Sequence, residues 1–222
     1  MEASNGSHLR LAASASPSAR DLVTGVLVEE HRTLRIVLSI LQRLLHEISQ
    51  FGREPDFHLL AEVLYYIDDF PERVHHPKED RYLFPVVRRR TARFDALLDR
   101  LRTDHARSAQ MLVRIQRDLV HFQAGDPKAL SRLSTNVATY AALLEEHLQA
   151  EERLLSDVCD ELTEDDWAQL ARGFAADRDP LTAGDTRHEF RVLRARILNA
   201  LPTKMRLDTG AAETMRGDPP KG

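Results

Sequence analysis

The chain has a single cysteine, Cys159, in 222 residues. That excludes an intramolecular disulfide and any cysteine cage for a metal ion, and it is compatible with a reducing cytoplasm. Long apolar runs are missing, so no segment is expected to cross a bilayer. The first twenty residues lack the apolar core of a secretory signal. Neither sign of charge dominates: a net charge of -4 gives no electrostatic footprint for nucleic acid, and Arg88-Arg89-Arg90 reads as a helix end. Strand alternation, hairpin signals, nucleophile motifs and phosphate-binding loops are also absent, which leaves β folds and hydrolase chemistry without support.

What is present suits a soluble globular protein, with 42% hydrophobic and 30% charged residues. The length allows one sizeable domain or at most two small ones. Residues 1–20, rich in Ala and Ser, read as a disordered arm. From Asp21, taken as a cap, Leu22, Val26, Leu27, Leu34, Val37, Leu38, Leu41, Leu45 and Ile48 recur at helical spacing until Gly52 and Pro55. A second helical run extends from about Asp56 to Arg90, with Pro71 and Pro77 inside it. An uncompensated interior proline costs up to roughly 3 kcal/mol, so a kink or break is expected there. A third helix runs from about Arg93 to Phe122. The turn Gly125-Asp126-Pro127 opens a fourth, with Pro127 in its first turn, ending near Cys159.

The expected fold is therefore all-α: an antiparallel up-down-up-down four-helix bundle over residues 21–160. One or two extra helices follow in residues 161–201, as cover for the bundle, the first opened by Thr163-Glu164-Asp165-Asp166-Trp167 and the second near Asp185. Residues 202–222 read as a disordered tail.

One pattern recurs. His75-x-x-x-Glu79 in the second run returns as His147-x-x-x-Glu151 in the fourth. On an α-helix, residues i and i+4 share a face, so an imidazole and a carboxylate can reach one ion or two adjacent ions. A solvated face with an incidental contact would explain one copy, but two copies and two further histidines on apolar faces ask for more. His31 lies among Leu27, Leu34 and Leu38, and His105 among Leu98, Leu101 and Leu112. The adjacent pair His76 and Asp80 is a rival register; Glu72, Arg73, Asp68 and Asp69 on its preceding turns make that face read as solvated. His46 and His121 also read as solvent-facing.

In an up-down-up-down bundle, His31, His75, Glu79, His105, His147 and Glu151 all fall in one layer, about 15 to 20 Å from one end at ~1.5 Å rise per residue. Burying four imidazoles and two carboxylates without partners costs several kcal/mol. A metal pair removes that objection, the carboxylates bridging and the imidazoles terminal. Nitrogen and oxygen donors together suit iron, zinc or manganese.

At these residues the sequence resembles the hemerythrin-like, or HHE cation-binding, family. The likeness lies in the ordered set His31, His75-x-x-x-Glu79, His105 and His147-x-x-x-Glu151, with Leu83-Phe84-Pro85 after the first pair, and it covers roughly Leu22 to Cys159. It implies a four-helix bundle around two iron ions in an oxo- or hydroxo-bridged non-haem centre. Oxygen-carrying hemerythrins have a further histidine on the third helix, one turn from its partner, where this chain has Leu101 and Ala109. Their last motif also has Asp five residues after His, against Glu151 four after His147.

The leading functional expectation is a cytoplasmic di-iron protein that reacts with or senses O2, peroxide or nitric oxide, in oxidative or nitrosative stress or iron handling. Reversible oxygen or iron binding without turnover is the second reading, and a metal-free helical interaction module the third. Tyr65, Tyr66 and Tyr140 are candidate donors behind the ligands. Neither nucleic acid nor membrane is an expected partner, and the oligomeric state is open.

Overall fold

The computed structural model describes residues 16–175, 179–181 and 188–200, and all regular structure among them is helical. Helix α1 spans Ala19–Phe51. Its cap is Ser18 rather than Asp21: the Ser18 hydroxyl accepts from the Asp21 N–H, and the Asp21 carboxylate accepts from the Ser18 N–H. At the other end Gly52 turns left-handed with φ 61, the conformation glycine adopts without penalty. Residues 1–15 of the expected arm, and the expected tail from 202, lie outside the described residues.

The second run is continuous from Phe57 to Arg90, but it changes type. Helix α2 (Phe57–Ile67), opened by the Asp56 side chain accepting from the Leu59 N–H, passes into a π-helical segment, π1 (Asp68–His75). One α turn (His76–Lys78) leads to a second, π2 (Glu79–Leu83), and then to α3 (Phe84–Arg90). Pro71 lies inside π1, Pro77 in the α turn after it, and Pro85 in the first turn after π2. The His76 N–H reaches the Pro71 carbonyl five residues back, and the Phe84 N–H reaches that of Glu79. A run that an interior proline would interrupt is thus remodelled instead of broken.

Helices α4 (Asp95–Gln123) and α5 (Ala129–Asp157) are regular. Pro127 lies in the turn ahead of α5 instead of in its first turn, and Gly125 makes that turn at φ 86. Short α6 (Glu164–Ala175) and α7 (His188–Ala200) complete the described chain. The start of the second expected extra helix, residues 185–187, is outside the described residues.

The long helices pack as a bundle, α4 on α5, α1 on α5, and α2 on α4, with α6 laid against α1. Their interior is two apolar cores. One holds Leu34 to Leu45 of α1, Leu60 to Phe70, Leu112 to Leu119 and Leu133 to Leu148, with Phe190, Leu193 and Ile197 of α7 over it. The other holds Val23, Leu27, Leu83, Phe84, Leu98, Leu101, Leu154 and Leu155, covered by Trp167, Leu170 and Phe174 of α6. Between the cores runs one layer of buried polar side chains.

Candidate metal centre

All six residues singled out in the sequence meet in that layer, and all are buried. His31 and His75 form one group with Glu79 and Glu151; His105 and His147 form a second group with the same two carboxylates. In each group the potential donor atoms lie within 4.8 Å of one another.

The carboxylates are shared oxygen by oxygen. Glu79 Oε1 is 3.6 Å from His75 Nε2, while its Oε2 is 3.5 Å from His105 Nε2. Glu151 Oε2 is 3.4 Å from His31 Nε2, while its Oε1 is 3.0 Å from His147 Nε2 and 3.6 Å from His105 Nε2. Neither carboxylate has a hydrogen-bond partner at either oxygen, nor does Nε2 of His31 or His75. Fully buried carboxylates without donors are rare because the desolvation goes uncompensated. A cation on each side compensates it, so the donor set fits metal.

Behind each of these imidazoles stands another carboxylate on Nδ1. Glu30 Oε2 is 2.8 Å from His75, Glu152 Oε1 3.0 Å from His31, Asp80 Oδ2 3.3 Å from His105 and Asp104 Oδ2 3.9 Å from His147. Such partners orient an imidazole, fix its tautomer and raise its basicity toward a metal. The sequence around them is a repeat: Glu30-His31 with His75…Glu79-Asp80, then Asp104-His105 with His147…Glu151-Glu152. Within each half the residue before the single histidine backs the paired one. Across halves the residue after the bridging glutamate backs the single one.

Cations anchor the outer carboxylates. Lys78, itself buried, donates to Glu30 at 2.8 Å and lies over the Phe70 and Phe174 rings. Arg35 donates to Glu152 and Glu145, each at 2.8 Å. Burial opposes ionisation of Glu30, but His75 and Lys78 outweigh it and hold its pKa below the ordinary value.

Protons do the charge balancing when no cation is bound. Burial alone would lower His31, yet Glu151 and Glu152 push it up to about 9. Burial is likewise overcome at His105, which Asp80, Glu151 and Glu79 push up to about 11. Glu151 is held far below the carboxylate range, against burial, by His147, His105 and His31.

His76 corrects the sequence reading. It was expected on a solvated face; it is 2% exposed, with its ring stacked on His105 at 4.3 Å between centroids and 5.4 Å from that of His147. The Glu72 side chain, on the same supposedly wet face, is only 6% exposed. The charges on the preceding turns misled, because adjacent residues can both face the interior, as Glu30 and His31 do on the regular α1. The second repeat carried a signal for this, since the residue after His147 is apolar Leu148, also buried. Asp80, the partner proposed for His76 in that rival register, instead faces His105. Of the three tyrosines, Tyr140 donates to Glu72 at 2.9 Å. Tyr65 is half exposed against Phe190, and Tyr66 is buried beside Phe70 and Phe190. His46 and His121 are exposed, as expected.

Compared with known families, residues 22–159 match the model described as the hemerythrin HHE cation-binding domain. The chain belongs to this family. A comparison with curated proteins finds no match. Membership and the buried His/Glu groups together indicate a cation-binding domain, in line with the expectation drawn from the ordered motifs. Among the described residues no helix is long and apolar enough to cross a membrane.

Proposed function

We propose that this HHE-domain chain is a non-haem di-iron protein that reacts with or senses O2, peroxide or nitric oxide. His31, His75, His105 and His147 serve as terminal ligands, and Glu79 and Glu151 as bridges. The four long helical runs alternate as an antiparallel up-down-up-down bundle, and the protein works in the cytoplasm, in oxidative or nitrosative stress or iron handling. The observation that supports this best is the division of each bridging carboxylate, one oxygen toward each imidazole pair.

Bound iron supplies electrons and open coordination positions; the chain supplies the rest. Glu30, Glu152 and Asp80 hold His75, His31 and His105 in orientation from behind, and Asp104 faces His147 Nδ1 at 3.9 Å. Phe84, stacked near His105, and the apolar cores on both sides exclude water. His31, His75, Glu79 and Glu151 have no exposed surface, so the layer admits a reactant of a few atoms and rejects a large one. His31 and His105, protonated beside the carboxylates, give up those protons when a cation takes their place.

The deciding measurement is iron per chain after anaerobic reconstitution, with the visible absorption spectrum after air exposure, for wild type and His147→Ala. Near two irons with oxo-bridge bands, lost in the variant, is expected. Less than half an iron per chain, unchanged by the substitution, overturns the reading. Catalytic consumption of peroxide or nitric oxide then separates reaction from reversible binding.

A further inference from the structure

We propose that His76 is an additional metal ligand, on the His105/His147 half of the centre, so that the two cation positions carry unequal sets of imidazoles. The inference rests on the two-cation reading above and goes beyond it, because His76 lies outside the repeated motif.

The repeat itself isolates the difference. Counting from the paired histidine, Glu72 and His76 occupy the places that Leu144 and Leu148 occupy in the second half. Leu144 and Leu148 are buried and fill the core as apolar side chains do. Where packing alone was needed, leucine met the need; in the first half the same two places hold a buried carboxylate and a buried imidazole.

His76 has what a ligand needs and little else to do. Neither ring nitrogen has a hydrogen-bond partner. One of them lies within 4.8 Å of a ring nitrogen of both His105 and His147. On its other side Nδ1 is 3.4 Å from Glu72 Oε2, repeating the carboxylate that stands behind each of the four motif histidines. Glu72 is itself fixed, accepting from Tyr140 Oη at 2.9 Å and Ser108 Oγ at 3.1 Å. The ring stands on the α turn His76–Lys78, between the two π segments. With both bridging carboxylates shared equally, the His31/His75 position has one protein donor fewer, and a small exogenous molecule finds its room there.

Cobalt(II) tests this without any activity assay. The full chain is loaded anaerobically with Co2+, and hyperfine-shifted, exchangeable imidazole N–H signals are counted by proton NMR, with the visible Co2+ absorption followed during titration. Five shifted signals are expected in the wild type and four in His76→Gln. In that variant one of the two binding steps should weaken at least tenfold, with stronger absorption as the coordination number falls, while the other step moves less than threefold. Four signals in the wild type, or an unchanged titration in a folded His76→Gln, overturns the assignment and leaves the two-cation reading standing. If the wild type takes up no Co2+ and His147→Ala is no different, the two-cation reading falls and this one with it. Should His76→Gln fail to fold by circular dichroism, the signal count in the unsubstituted protein decides.

Discussion

His147 and Glu151 stand on an uninterrupted α-helix, Ala129–Asp157, whereas His75 and Glu79 stand on a run that passes from α into π twice. Both pairs nevertheless reach the same layer, between the same two apolar cores. The regular helix delivers its imidazole and carboxylate by i,i+4 spacing and fills the adjoining places with leucine. The irregular run delivers the same pair and turns two further polar side chains, Glu72 and His76, into the interior. The same four places face inward on both runs, so the halves differ in residue type, Glu72 and His76 standing where the regular helix has Leu144 and Leu148.

The largest effect expected follows from what the halves share. Glu79→Gln and Glu151→Gln each remove the negative charge that both groups share and replace one of its two oxygens with an amide NH2, so each should abolish uptake of both cations despite the different backbones beneath them. His31→Ala and His105→Ala should each weaken one binding step far more than the other. Metal analysis after gel filtration checks this, and a Glu79→Gln protein that keeps one cation tightly would break the shared-bridge picture.

The irregular run also packs against α6 through π2. Gly173 of α6 sits so close to π2 that a Cβ there would fall 2.7 Å from Tyr82 Cγ. Gly173→Ala must displace the base of an aromatic ring, not the end of a flexible chain, and should destabilise by about 1–3 kcal/mol. Chemical denaturation measures it.

A smaller effect is expected at Asp166, which tethers α6 to the end of the same run. Its carboxylate accepts from the Thr163 N–H and from Arg90, and Arg89 donates to its other oxygen. Asp166→Ala should cost about 1 kcal/mol, the worth of a helix cap with exposed arginines adding little. Burial alone would raise its pKa, but Arg90, Thr163 and Arg89 hold it far below the ordinary 3.8. A lowered folded value means the contribution is complete above 3.8 and fades as pH falls toward that lowered value. The gap between wild type and variant should therefore hold from pH 7 to about pH 5 and narrow in acid.

Least of all should follow from His46→Ala on α1 and His121→Ala on α4, both exposed. Stability should stay within about 0.5 kcal/mol, and metal uptake should not change.

Helical periodicity carried most of the fold, because every long helix has one apolar stripe, and the spacing of the His and Glu positions carried the layer they share. Three things were hidden for physical reasons. The backing carboxylates Glu30, Asp80, Asp104 and Glu152 belong to other helices than the imidazoles they face, except through the repeat, so spacing along one helix does not show them. Pro71 and Pro77 signalled disruption, and whether the chain breaks or widens there depends on packing against α4 that no local pattern encodes. His76 was hidden by its neighbours, since Asp68, Asp69, Glu72 and Arg73 on the preceding turns make its face read as solvated while the buried Leu148 holds the same place in the second half.

The contact between Phe174 and Lys78 bears on where this domain ends. The family match stops at residue 159, yet Phe174 of α6 lies over the ammonium of Lys78, which holds Glu30, which holds His75. A minimal fragment cut at the match boundary would keep every proposed ligand and lose the lid on that chain of contacts, along with Trp167 and Leu170 from the core beside it. Expression boundaries for this protein belong beyond Ala175.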